Sequence, residues 1–155
     1  MVKIGFMQGR FSPLVNDRIQ AFPVENWENE FKIAKANNFN FMEWTLDQYN
    51  LYSNPLMTSE GREKIKKLKN KFDVKIFSLT GDCFMQSPFW KVEKNKRDTL
   101  FNDLEEVLIS SYKVGIKKIV FPLVDNGSIE NDEQEEVLFE YFKKHIKFLK
   151  SKKIF

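Results

Sequence analysis

The 155-residue chain has one cysteine, Cys83, and one histidine, His145. A single thiol excludes an internal disulfide framework and suits a reducing compartment, so a cytoplasmic protein is expected. One histidine cannot build a histidine-rich zinc cluster, and the string contains no HExxH, CxxC, Walker A loop or GxGxxG. No stretch nears the ~20 apolar residues of a membrane span. The opening MVKIGFMQGR lacks a basic segment followed by an apolar run and a small-residue cleavage site, so it reads as a strand and not as a signal peptide. The net charge is only +3, which gives no electrostatic case for nucleic acid or an anionic membrane as a partner. Linker-like and low-complexity stretches are missing as well, and a single unit over 1–155 is expected.

What is present is an apolar fraction of 42% with sixteen phenylalanines, enough for a core of unusually aromatic character. Short β-type runs begin near Lys3, Asn40, Val74 and Lys117, each followed by an amphipathic helical stretch. That alternation builds a parallel sheet covered by helices. A closed eight-stranded barrel needs about 250 residues, so the expected fold is α/β, a partial (β/α)8 TIM barrel. It comprises about four βα units and a truncated fifth strand starting in Ser151-Lys152-Lys153-Ile154-Phe155. An open flavodoxin-like sheet is the competing architecture. The turn Gln8-Gly9-Arg10-Phe11-Ser12-Pro13 is no glycine-rich phosphate cradle, which argues against it.

The first strand is expected over 3–7, followed by a connection over 11–25 that holds Pro13 and Pro23. Such a length exceeds the usual ~2–6 residues of a βα loop and is commonly functional. Asn26 suits the N-cap of a first helix with Glu28 and Glu30 at its positive end. Trp27, Phe31, Ile33 and Ala34 form its apolar face, and Asn37-Asn38 end it. Phe41-Met42-Glu43-Trp44 reads as the second strand. A helix capped near Thr58 or Ser59 then buries Ile65, Leu68 and Phe72, with Lys64, Lys66, Lys67, Lys69 and Lys71 solvated around it. The third strand is expected over 74–80. Asp98 opens the next helix, packed through Leu100, Leu104, Val107, Leu108 and Tyr112 and closed by Gly115. The continuously apolar run 118–123 reads as a fourth strand buried on both faces. Asn131 with Gln134, or Asp132 with Glu135, forms a capping box for the last helix, packed through Val137, Leu138, Tyr141, Phe142 and Leu149.

Sites in parallel α/β folds form at the carboxyl ends of the strands. Gln8 and Arg10 follow the first strand and share the alternating face of Ile4 and Phe6; if that face points inward, both reach the barrel mouth. Arginine could there hold a carboxylate or phosphate and glutamine could bond hydroxyls. Glu43 is a carboxylate among Phe41, Met42 and Trp44, where burial is costly unless the charge is paired. Burial of that kind tends to raise a carboxyl pKa, which suits proton transfer beside a carbonyl. Asp82 and Cys83 follow Gly81 at the third strand end: the aspartate could bind a hydroxyl, whereas the cysteine reads first as a small buried hydrophobe. Asp125 and Asn126 precede Gly127 in a string that is first of all turn chemistry. His145 lies on the last helix and reads as a surface or packing residue.

Together MQGRFSP, IQAFPVENWENEF, FMEW, LTGDCFM and IVFPLVD, in this order, resemble the N-terminal half of the sugar phosphate isomerase/epimerase group, the xylose isomerase-like TIM barrels. The resemblance implies a metal-dependent isomerase or epimerase of carbohydrate metabolism, using a divalent Mn, Mg or Co ion. It places Gln8 and Arg10 at the mouth for a sugar or sugar phosphate, Glu43 facing the site and Asp82 at its rim; Glu43 is the expected catalytic residue, and Cys83 and Asp125 are further substrate-binding candidates. It also implies that the main metal ligands, two Glu with an Asp and a His, come from later strands. No metal is therefore expected on this chain alone, and the fragment is expected to be inactive. Four strands leave open edges and an uncovered inner face, so self-association is a further expectation. A non-catalytic self-associating half-barrel or a sugar-binding remnant is the alternative reading. The related abasic-site endonucleases are disfavoured by the single histidine and the low charge.

Overall fold

The computed structural model describes residues 4–18 and 21–155. Among them, four strands form one parallel sheet in the order β1 (Gly5–Met7), β2 (Phe41–Thr45), β3 (Lys75–Thr80) and β4 (Lys118–Val120). The helices are α1 (Trp27–Ala36), α2 (Ser59–Phe72), α3 (Asp82–Gln86), α4 (Lys94–Val114) and α5 (Asp132–Lys152). The protein is thus an α/β fold with a parallel sheet. Lys3, expected in the first strand, lies outside the described residues. None of the helices is long and apolar enough to cross a membrane.

Strand order decides which face is covered. A doubly wound sheet reverses its order at one point and so places helices on both sides. Here the order simply runs forward, and right-handed crossovers then put the helices on one face. Burial follows that rule: Met42, Trp44, Ile76 and Leu79 are fully enclosed, while Phe77 and Val120 are 46% and 45% exposed. The expectation that β4 is buried on both faces is therefore corrected. Its regular part ends at Val120, and Leu123 is also exposed.

The covered face is an aromatic core. Trp44 contacts Trp27 and Phe22 with ring centroids 5.8 and 5.5 Å apart. A second cluster joins Phe89, Trp90, Phe101, Phe121 and Tyr141 beneath α4 and α5. Each large apolar side chain enclosed in this way contributes about 1.5–3 kcal/mol.

Of four helix starts read from the sequence, those of α1, α2 and α5 fall where expected and that of α4 does not. Thr58 Oγ1 accepts the Gly61 N–H at 3.0 Å and caps α2, and Asn131 Oδ1 accepts the Gln134 N–H at 3.0 Å at the start of α5. Asn26 sits at the N-cap of α1 without a side-chain capping bond. α4 begins at Lys94, a full turn before Asp98, with Glu93 at the N-cap and again no side-chain cap to mark it. Tyr112 is 42% exposed, and Ser110, Ser111 and Val114 take the buried positions near that end. Gly115 closes α4 at φ +88, as its position implies. Lys69 departs from the solvated lysine face: its Nζ donates to the Val114 carbonyl, and burial lowers its pKa. At the other end, Phe155 donates its N–H to the Lys117 carbonyl (2.8 Å) and accepts the Ile119 N–H (2.9 Å). Those two bonds straddle Lys118 in the pattern of a parallel pair.

Candidate functional site

Glu43 stands on the bare face of β2. The pairing of β2 with β3 slips between Met42 and Glu43: Met42 pairs with Ile76, but Glu43 pairs with Ser78, leaving Phe77 as an extra residue. Bulges of this kind re-aim side chains. Here the slip turns Ser78 and Thr80 onto the face of Glu43. Ser78 Oγ donates to Glu43 Oε2 and Thr80 Oγ1 to Oε1, both at 2.6 Å. Two short hydroxyl bonds fix the carboxylate plane, and each oxygen keeps another acceptor position. An open hollow of about 510 Å³ surrounds it, lined in part by Gly5, Met7, Phe41 and Phe77. Glu43 is only partly buried, because of its flanking apolar residues Phe41 alone shares its face.

Gln8 and Arg10 do not share that face, which corrects the expectation. Phe6 packs on the covered side against Phe11 and Phe39, with centroids 4.4 and 5.9 Å away, and Gln8 follows it into the interior. Its Oε1 accepts the Thr45 N–H at 3.2 Å and its carbonyl accepts Thr45 Oγ1 at 3.3 Å, so it prolongs the β1–β2 ladder. Arg10 is exposed, with Nη2 3.5 Å from Sδ of Met7, the residue paired with Glu43. The strand alternation stops at Gly9, whose φ of +94 belongs to the left-handed region that favours glycine. Beyond that point side-chain direction no longer follows from counting.

Glu30 holds the turn that carries Arg10. Fully enclosed on α1, it accepts the Gly9 N–H on both oxygens (2.9 and 3.0 Å), the Phe11 N–H (3.1 Å) and Ser12 Oγ (2.9 Å). Burial pushes its carboxyl pKa up, against the downward pull of those hydrogen bonds. Nothing in its sequence context beyond the dipole argument marks it as a clamp. Ser78 and Thr80 are equally silent in the sequence, since their role exists only through the bulge.

The remaining candidates stand on elements other than β2. Asp82 is buried in the first turn of α3 and so is no solvent-facing rim. Cys83 is buried beside it, its N–H donating to the Leu46 carbonyl at 2.9 Å, and burial pushes its thiol pKa far up. At 1% exposure it packs as a small side chain within the core. Asp125 is exposed at φ +50 in the turn Asp125–Gly127. Asn126 Nδ2 ties that turn to the Met85 carbonyl at 3.0 Å, so this string is turn chemistry. His145 bridges the Tyr141 carbonyl and Glu105 Oε1, both at 2.7 Å, and stacks on Tyr141, joining α5 to α4.

Among the described residues no three His, Cys, Asp or Glu side chains come together to hold a metal ion. The donor set around Glu43 is a carboxylate already engaged by two hydroxyls, which does not fit the divalent cation implied by the resemblance. The chemistry of this face is that of one oriented carboxylate, two hydroxyls and a nearby guanidinium.

Neither known protein families nor curated protein sequences match this chain. The resemblance to sugar phosphate isomerases therefore stands on the sequence motifs alone.

Proposed function

We propose that this chain supplies one side of a sugar or sugar phosphate isomerase/epimerase site within a partial (β/α)8 barrel, in a reducing cytoplasmic setting. The observation that carries the reading is Glu43, oriented by Ser78 and Thr80 on the uncovered face of a forward-ordered parallel sheet. A carboxylate held in fixed orientation on a strand can take the proton from a carbon beside a carbonyl, a contribution of about 10²–10⁴-fold when well placed. The electron pair then moves onto the carbonyl oxygen; return of the proton to the former carbonyl carbon, with the hydroxyl proton of the first carbon passing to the other oxygen, completes an isomerisation. Arg10 would pair with a phosphate or carboxylate on the same ligand. Met7, Phe41 and Phe77 give the hollow an apolar lining beside the reacting carbon. Charge developing on the carbonyl oxygen needs an electrophile that the described residues do not assemble. Binding without metal-dependent turnover is therefore the expected behaviour of this chain by itself.

The test is an NMR titration of the ¹⁵N-labelled chain with a ketose phosphate. Perturbed amides at Met7, Glu43, Ser78 and Thr80, lost in Glu43→Gln, support the reading. Silence of those amides towards every sugar and sugar phosphate refutes it. Turnover with Mn, Mg or Co that Glu43→Gln abolishes would show instead that the site is complete. The bare Phe77 and Val120 and the edge of β1, unpaired among the described residues, favour a second reading, a non-catalytic self-associating half-barrel. Sedimentation showing a stable dimer whose bare face ignores sugars would select it.

A further inference from the structure

Two residues past β2, Asp47 lines a cavity of about 220 Å³ formed with residues 15–18 and 21–24 and the 47–54 segment. Its Oδ2 accepts the Phe22 N–H and its Oδ1 accepts Gln86 Nε2, each at 2.9 Å. Gln86 is fixed in turn, because its Oε1 accepts the Gln48 N–H at 2.8 Å. Both partners of Asp47 among the described residues are neutral donors, and beside them each carboxylate oxygen keeps a further acceptor position. The result is an oriented anion with capacity for two more donors. Asn16 and Asn50 line the same cavity, and their amides both donate and accept. Tyr49 lines it too and is 84% exposed. A lone exposed ring means little, but beside an oriented carboxylate it offers a flat apolar platform with a polar tip.

We propose that this cavity binds a single sugar ring, with two neighbouring hydroxyls on Asp47 and a C–H face on Tyr49. At ~30 Å³ per water the space equals about seven waters, room for one ring. It falls below the ~300 Å³ at which drug-sized pockets begin, so a dinucleotide does not fit. A small cation would also suit the carboxylate, but Arg18 lines the cavity and opposes it. Hydroxyls match the asparagine amides better, since both kinds of group donate and accept. The pocket is separate from the Glu43 hollow, as the two share no lining residue. The proposal therefore holds whether or not Glu43 moves protons.

Neutral and phosphorylated sugars present the same hydroxyl pair, and the test separates them. The ¹⁵N-labelled full chain is titrated with a neutral pentose, a pentose phosphate and putrescine. The pentose should perturb Asn16, Tyr49, Asn50 and the Gln86 side chain with a millimolar midpoint, the weak end of the affinity scale. Tyr49→Ala removes a solvent-exposed ring, leaves the fold intact and should weaken this binding roughly fivefold. Asp47→Asn should weaken it further. Glu43→Gln should leave these shifts in place, which separates this pocket from the bare face. Tighter binding of the phosphate ester, lost in Arg18→Gln, would place the phosphate at Arg18. No response to pentoses, shifts confined to Met7, Glu43, Ser78 and Thr80, a preference for putrescine, or indifference to Tyr49→Ala would each overturn the proposal.

Discussion

Replacing Gly61 by alanine is expected to destabilise this protein, although the same change in an exposed helix interior stabilises by about 1 kcal/mol. Gly61 lies in the first turn of α2, where its N–H caps onto Thr58. A Cβ built there would fall 2.2 Å from the Pro55 carbonyl oxygen, 2.5 Å from its Cα and 2.6 Å from its carbonyl carbon. All three atoms are backbone, so no side chain can rotate out of the way. Restoring ordinary contact at ~3.5 Å requires α2 and the Pro55–Met57 turn to separate by about 1 Å. That separation loosens Leu56 and Ile65, both fully enclosed, and Asn54, whose Oδ1 accepts Trp44 Nε1 at 3.2 Å and the Leu56 N–H at 3.0 Å. Overpacking costs about 1–3 kcal/mol, and a backbone clash belongs at the upper end. Subtracting the ~1 kcal/mol gain in helix propensity leaves a net loss of about 2 kcal/mol. With a urea m-value of about 1–3 kcal/mol/M, the unfolding midpoint should fall by roughly 1 M at unchanged slope. A midpoint equal to or above that of the unaltered protein would refute the packing argument.

Glu30 and Cys83 yield two more expectations. Because burial raises the Glu30 carboxyl above its ordinary 4.5, the folded state keeps a proton that the unfolded chain has lost. The stability so gained is fully present below pH 4.5 and disappears as pH rises through the folded value. Glu30→Gln should erase this step from urea-derived stability measured against pH, and parallel curves would show that Glu30 is not its source. Cys83, buried and with its thiol held protonated, should react with iodoacetamide only as fast as the protein unfolds. Rapid alkylation of the folded chain at neutral pH would contradict its enclosure.

The strand–helix alternation is legible because its signals are local. Thr58, Asn131 and Gly115 mark helix ends by hydrogen bonds and backbone angles within a few residues of themselves. α4 is misread at its start because Glu93 makes no capping bond, which leaves Asp98 as the apparent signal. The run 118–123 looks like a strand covered on both sides because apolar composition reports what a segment tolerates and not what its sheet provides. Glu43 stands out in the sequence as an acid between apolar neighbours. Its partners do not, since Ser78 and Thr80 reach it only through the register slip at Phe77.

Local periodicity and capping alone determine a parallel α/β chain with its helices roughly placed and one conspicuous acid on the second strand. Tertiary structure alone decides that one sheet face stays bare, that Gln8 turns inward, that Glu30 grips the turn of Arg10 and that Asp47 is oriented by Gln86. The physical reason is distance along the chain. Register and face coverage arise from contacts between residues tens of positions apart, whose energies no short window of sequence contains.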